Sequence, residues 1–327
     1  MTANVTKVSV LLVVCLYENN FGDLLIYNTI RNKLELHGFA IDIVEISDSI
    51  DQSDFINKAN NNDFIYFVGG GIIEKWAPEI IAKFDQYYSV ITKPYGVIGL
   101  SCGDFFDNYK TMSTSLRLFS DKASFFFTRD RESVEVFKMC GATKLPISSA
   151  DVVFANEFCT DYRPLITYNT ANFRNIPYTD VTGDIDWNGW SKVLKSIDVD
   201  SLINDCSDAH NKLNIPISNR PIVFDIMNSH IIISMRFHII LVAAMLNIPA
   251  IPICYCPKVS RLASQLGLED YALGIHDSHR LNAVYSAMER NYTAVKLMLL
   301  KRVAMLHMQS TQAINSSVVK ILEMTGE

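Results

Sequence analysis

The stretch that most restricts the fold runs from Ser234 to Lys258, SMRFHIILVAAMLNIPAIPICYCPK. Ile231, Ile232 and Ile233 just ahead of it read as a buried strand, and Ile239, Val242, Ala243 and Leu246 recur at helical spacing. Asn247 and Pro249 end that helix, Ala250 to Cys254 forms a second apolar strand, and Lys258 follows. Two wholly apolar strands joined by a helix belong to a parallel sheet covered on both faces. Arg236 and His238 fall at the strand-to-helix junction. Unpaired N–H groups and the positive end of the helix dipole make such a junction a site for phosphate or carboxylate. Lys258, just beyond the carboxyl end of the second strand, aims a further cation at the same crevice.

The first half repeats this rhythm. Val8 to Leu16 reads as a strand, followed by a polar turn with Gly22 and an amphipathic helix that ends at Gly38. Ala40 to Ile46 is a second strand, Asp54 to Asn60 a short helix, and Asp63 to Val68 a third strand running into Gly69-Gly70-Gly71. Ile80 to Tyr88 and Ser113 to Ser120 read as helices, Tyr95 to Leu100 and Ala123 to Phe127 as strands, and Glu132 to Met139 as a helix closed by Gly141. Alternating strands and helices predict a parallel α/β sheet. A polar boundary near Asn156 to Arg163 divides the chain into domains 1–160 and 161–327, the second carrying a helical tail from Leu281 to about Met324. Trp190 to Leu213 reads as mainly helical, after a polar loop that begins at Asn169.

Composition sets outer limits. The 327 residues are 49% hydrophobic and 20% charged, enough for sizeable cores, and the net charge of −6 argues against nucleic acid as the main partner. Seven cysteines at irregular spacings, several in apolar runs and none as C-x-x-C, read as reduced thiols of a cytoplasmic protein. No metal site is expected: Asp184-x-Asp186 and Asp198-x-Asp200 read as chance. No run reaches the roughly 20 apolar residues of a membrane span. Arg290, Lys296, Lys301 and Arg302 on the tail helix are either an ordinary solvated face or a contact to the inner face of an anionic membrane.

On these grounds Arg129, Arg236, His238 and Lys258, each near the carboxyl end of a strand, converge on a crevice between two α/β domains, with Asn20 and Asp23 opposite. Each has a duller reading. A histidine at a helix start is commonly a packed ring, Arg129-Asp130 a surface ion pair, and the glycine run a simple turn.

The same residues carry a resemblance to the polysaccharide pyruvyl transferase family. It rests on Asn20-Phe21-Gly22-Asp23, Gly69-Gly70-Gly71, Arg129-Asp130 with Ser133, Asp151, and the long segment from Ser234 through Arg236-Phe237-His238 to Tyr255-Cys256-Pro257-Lys258. Phe237 stands where the family usually has Leu, and Ser101-Cys102-Gly103 where Gly-Gln-Gly is usual. The resemblance implies an α/β fold of two Rossmann-like domains facing across a cleft, as in the glycosyltransferase B class. It implies transfer of pyruvyl from phosphoenolpyruvate, as a ketal, to a sugar of a cell-surface polysaccharide or its precursor, which can be lipid-linked. No cofactor is implied. Arg129, Arg236, Phe237, His238, Lys258, Gly70 and Gly71 would bind the donor, Asn20 and Asp23 the acceptor, with His238 and Asp23 as catalytic acid and base. A nucleotide-sugar glycosyltransferase and a non-catalytic glycan binder are the alternatives.

Overall fold

Val10 to Val13 are fully buried, so this strand meets apolar neighbours on both faces and its sequence shows a continuous run rather than an alternation. A computed structural model describes residues 7–14, 16, 20–45, 52–70, 91–102, 109–157, 168–173, 185–205 and 210–326. The chain divides into two compact units, Met1–Asn156 with Leu306–Glu327, and Glu157–Met305.

In the first unit, β1 (Ser9–Val14), β2 (Ala40–Glu45), β3 (Phe64–Val68), β4 (Tyr95–Leu100), β5 (Phe126–Thr128) and β6 (Ile147–Ser148) form a parallel sheet in the order β2-β1-β3-β4-β5-β6. Helices α1 (Phe21–Leu36), α2 (Gln52–Asn61), α3 (Tyr109–Lys122) and α4 (Arg131–Met139) alternate with the strands as the periodicity predicts. The Ile80 to Tyr88 helix falls outside the described residues. An aromatic core forms where Phe119 meets Phe67 edge-on at 5.4 Å and stacks on Tyr95 at 5.8 Å, and Phe126 meets Phe137 at 4.8 Å. Such pairs add to area burial because the ring edge is positive and its face negative.

In the second unit, β7 (Tyr168–Asn172), β8 (Val199–Leu202), β9 (Ser229–Ser234), β10 (Ala250–Cys254) and β11 (Leu273–Gly274) form a parallel sheet ordered β11-β10-β9-β7-β8. Its helices are α5 (Trp187–Ser196), α6 (His210–Leu213), α7 (Ile222–Met227), α8 (Phe237–Met245), α9 (Pro257–Leu266) and α10 (Leu281–Arg290). The continuous helix α11 (Tyr292–Thr325) begins here and ends in the first unit.

Three expectations need correction. Trp190 to Leu213 is not mainly helical: α5 ends at Ser196, Asp198 takes φ 57°, and β8 follows. Nor does a polar loop begin at Asn169, because β7 is a central strand of polar sequence. Thr170 Oγ1 shares a 2.6 Å hydrogen bond with Ser229 Oγ, and Asn172 Nδ2 donates to the Ile203 carbonyl at 3.0 Å. With partners supplied, polar side chains can be buried there. Third, the tail does not belong wholly to domain 161–327. Residues 306–327 pack in the first unit, where the His307 imidazole bonds the Phe154 carbonyl at 2.7 Å and Ser310 Oγ donates to the Val152 carbonyl at 3.2 Å.

Candidate functional site

Each sheet reverses its strand order once, and parallel sheets bind ligands beyond the strand carboxyl ends at that reversal. In the first sheet it lies between β1 and β3, in the second between β7 and β9. Of the described residues singled out from sequence, Asn20, Asp23 and Gly70 follow β1 and β3, Arg236 and His238 follow β9, Lys258 follows β10, and Arg129 follows β5, away from the first reversal.

In the second unit, Arg236 ends the turn after β9 and takes the N-cap position of α8, with extended backbone (φ −88°, ψ 123°). Its N–H donates to Ser234 Oγ at 2.9 Å. Its Nε donates to Asp205 Oδ2 at 3.2 Å, a pair with side chains only 9% and 2% exposed. Asp205 comes from the turn after β8, and its carbonyl accepts from Asn172 Nδ2 at 3.3 Å. The ends of β8, β7 and β9 thereby join in one buried polar network. Phe237 and His238 start α8, their rings 5.0 Å apart at 72°; Phe237 is buried and His238 partly so. On the neighbouring strand β10, Pro252 lies opposite Ser234. Cys256 caps α9, Pro257 occupies its first turn, and Lys258 follows, partly buried. Arg236, His238 and Lys258 thus stand at the carboxyl ends of adjacent strands, beside two helix N-termini. That arrangement favours an anion. Burial pushes the Cys254 thiol above its ordinary value, against a hydrogen bond with Ser260. It is therefore a thiol rather than a nucleophilic thiolate.

In the first unit, Asn20 caps α1 by accepting the Gly22 N–H at 2.9 Å. Its side chain is thus accounted for structurally. Asp23 lies in the first helical turn, partly buried. A Cβ built on Gly70 would stand 3.4 Å from Asp23 Oδ1, so the turn after β3 touches this carboxylate across the reversal. Gly71 lies outside the described residues. Gly69 packs so closely that a Cβ would meet Leu100 Cα at 2.5 Å.

Arg129 does not form a surface pair with Asp130. It turns to Asp151, with Nη1 to Oδ2 at 3.1 Å and side-chain exposures of 4% and 2%. Asp151 also accepts the Val153 N–H at 3.0 Å, starting the short 3-10 helix Val152–Ala155. Asp130 instead caps α4: Oδ1 accepts from the Ser133 N–H at 2.8 Å and Oγ at 2.6 Å, and Oδ2 from Ser101 Oγ at 2.8 Å. Ser133 Oγ accepts the Cys102 N–H at 2.8 Å. Each of the two arginines is therefore held by a buried aspartate from another segment. Sequence reasoning missed Asp205 because the strand before it was not recognised.

Among the described residues no three His, Cys, Asp or Glu side chains are grouped to hold a metal, and no helix is long and apolar enough to cross a membrane. Asp186 serves instead as the cap of α5, accepting the Gly189 N–H at 2.9 Å, while Asp184 lies outside the described residues.

Solved structures share the fold. The Staphylococcus aureus MnaA complex with UDP aligns with TM-score 0.60 at 11% identity, over 98% of this chain and 98% of that one. The Neisseria meningitidis UDP-GlcNAc 2-epimerase bound to UDP-GlcNAc aligns with TM-score 0.57 at 13% identity, over 95% and 99%. The spinosyn forosaminyltransferase SpnP aligns with TM-score 0.51 at 10% identity, over 98% and 100%. At such identities the likeness establishes the fold alone, that of the glycosyltransferase B class. No curated protein sequence matches the chain significantly. The family model for polysaccharide pyruvyl transferase, however, matches residues 20–257, most of the 327-residue chain, from α1 to the start of α9. The chain belongs to the polysaccharide pyruvyl transferase family.

Proposed function

We propose that the protein transfers the pyruvyl group of phosphoenolpyruvate to two hydroxyls of a sugar, in a cell-surface polysaccharide or its precursor, forming a ketal and releasing phosphate. One observation carries the reading: Arg236, held by Asp205, shares a sheet edge with His238 and Lys258 at the starts of α8 and α9. The donor has a carboxylate and a phosphate, and guanidinium and ammonium groups bind both through charge-assisted hydrogen bonds. Phe237 supports this edge, and Arg129, Gly70 and Gly71 are assigned to the donor as well. Asn20 and Asp23 are assigned to the acceptor.

Protonation of the donor methylene makes it a methyl group and leaves an oxocarbenium-like carbon. A sugar hydroxyl attacks that carbon, phosphate leaves with the bridging oxygen, and the second hydroxyl closes the ketal. Of the two hydroxyl protons, one replaces the proton now in the methyl group and the other leaves with phosphate. His238 is assigned as the acid that supplies the first proton, and Asp23 as base. Cations at the departing phosphate supply the charge neutralisation. Since the donor is a cytoplasmic metabolite, this reading assigns the enzyme to the cytoplasm.

The test is incubation with phosphoenolpyruvate and a panel of saccharides, following inorganic phosphate and the mass of the sugar. Phosphate release with a pyruvyl adduct is expected. The reading is overturned by absence of turnover together with thermal stabilisation by a nucleoside diphosphate and none by phosphoenolpyruvate.

A further inference from the structure

The tail helix carries a surface that pyruvyl transfer does not use. Between Asn291 and Val319 the sequence has three cations (Lys296, Lys301 and Arg302) and no Asp or Glu, although acids outnumber bases in the whole chain, 35 to 29. On α11, Val295, Leu299, Leu306, Ala313, Ile314, Val318 and Ile321 turn inward and are buried. Leu297, Leu300 and Met308 do not: they are 56%, 50% and 63% exposed. Their spacing, with exposed Ala304 between them, sets them on one stripe of the helix. At 1.5 Å per residue the stripe extends about 16 Å. Lys301, four residues after Leu297, is exposed on the same stripe, and Arg302 is exposed on the other side of the helix.

We propose that this face of α11 docks on an anionic lipid surface, lying along it rather than crossing it. Apolar side chains beside cations, without a compensating acid, are what an interfacial helix presents to acidic headgroups. A second copy of the chain is the poorer occupant. Packing this stripe against itself would set Lys301 against a like charge, with no acid on the stripe to meet it. Nucleic acid has no use for the exposed leucines, and the chain's net charge opposes it. The proposal does not depend on the reaction assigned above.

The test is flotation of the full-length protein with vesicles of mixed phosphatidylglycerol and phosphatidylcholine, against vesicles of phosphatidylcholine alone. Binding is expected only to the former and should weaken as salt shortens the screening length. Lys301→Gln should weaken it about fivefold. Leu297→Ser with Leu300→Ser should abolish it at unchanged charge, and these side chains are exposed enough that folding should survive. No binding to the anionic vesicles overturns the proposal, as does binding that both the Lys301 and the leucine variants retain. It is equally overturned by a concentration-dependent dimer that the leucine variant dissolves, which would make the surface a self-association face.

Discussion

Asp205 Oδ2 accepts a hydrogen bond from Arg236 Nε at 3.2 Å where both side chains are almost wholly buried. The pair fixes the direction of a guanidinium that would otherwise be costly to desolvate, since removing one partner of a buried ion pair strands the other charge. Asp205→Ala should therefore cost about 3–5 kcal/mol of stability. Asp205→Asn keeps an oxygen in place and should cost less, yet weaken phosphoenolpyruvate binding because the guanidinium is less firmly held. Urea unfolding and a donor titration measure the two effects. An Asp205→Ala protein as stable as the parent would show that the bond has no structural consequence.

The glycines after β3 make separable contributions. A Cβ at Gly69 would lie 2.5 Å from Leu100 Cα and 2.7 Å from Leu100 N, backbone atoms of the adjacent interior strand β4. At Gly70 the nearest atoms are Asp23 Oδ1 at 3.4 Å and Ile26 Cδ1 at 3.5 Å, ordinary contacts. Gly69→Ala should destabilise by about 1–3 kcal/mol or more, as overpacking does, and Gly70→Ala by far less. If Asp23 is the acceptor's base, Gly70→Ala should instead reduce kcat. Thermal melts and steady-state rates on the two variants separate the roles, and equal melting temperatures would refute the steric argument.

Sequence made the strongest elements legible for identifiable reasons. The apolar runs Ile231 to Ile233, Ile239 to Leu246 and Ala250 to Cys254, with Asn247 and Pro249 between the last two, were enough to locate the junctions that place Arg236, His238 and Lys258. β7 was hidden because Asn169, Thr170 and Asn172 look like loop residues, and only partners distant in sequence explain the burial of Thr170 and Asn172. The missing strand β8 concealed Asp205. Arg129 was placed correctly at a strand end, but its partner is 22 residues away rather than adjacent, a pairing no local pattern encodes. The division of the tail between two units was equally invisible, because α11 is one uninterrupted helix.

Acid sensitivity should arise in part from Asp121. Burial is the largest single influence and pushes its pKa up, but the N–H of Lys144, the hydroxyl and N–H of Thr143, and the charge of Arg117 together outweigh it and hold the carboxylate below its ordinary value. The three hydrogen bonds are 2.7–2.9 Å long. Asp63 is held low in the same sense by the Ser9 N–H and hydroxyl. A carboxylate with a depressed folded pKa contributes stability above its unfolded value, near 3.9, and loses it as pH falls through the folded value. Both groups are largely solvent-exposed, so the contribution is modest. Asp63→Asn with Asp121→Asn should flatten the fall in urea midpoint below about pH 4. An acid limb identical to the parent's would contradict this.

The hold of the tail on the first unit is tested at Tyr66, whose hydroxyl lies 2.6 Å from Ser317 Oγ in a fully buried setting. Ser317 Oγ already donates its one hydrogen to the Ile314 carbonyl at 2.7 Å, so Tyr66 must be the donor and Ser317 the acceptor. Burial accordingly keeps the Tyr66 hydroxyl protonated far above its ordinary range. This direction makes the two deletions unequal. Tyr66→Phe removes the donor while Ser317 keeps its bond within α11, so the cost should be about 0.5–1.5 kcal/mol. Ser317→Ala leaves a buried phenol without an acceptor and should cost about 1–3 kcal/mol. Equilibrium unfolding of both variants and of the double variant measures the order. A larger cost for Tyr66→Phe would reverse the assigned donor. If Ser317→Ala is the more damaging and the double variant costs no more than it does, residues 306–327 act as an integral layer of the first unit rather than an appended tail.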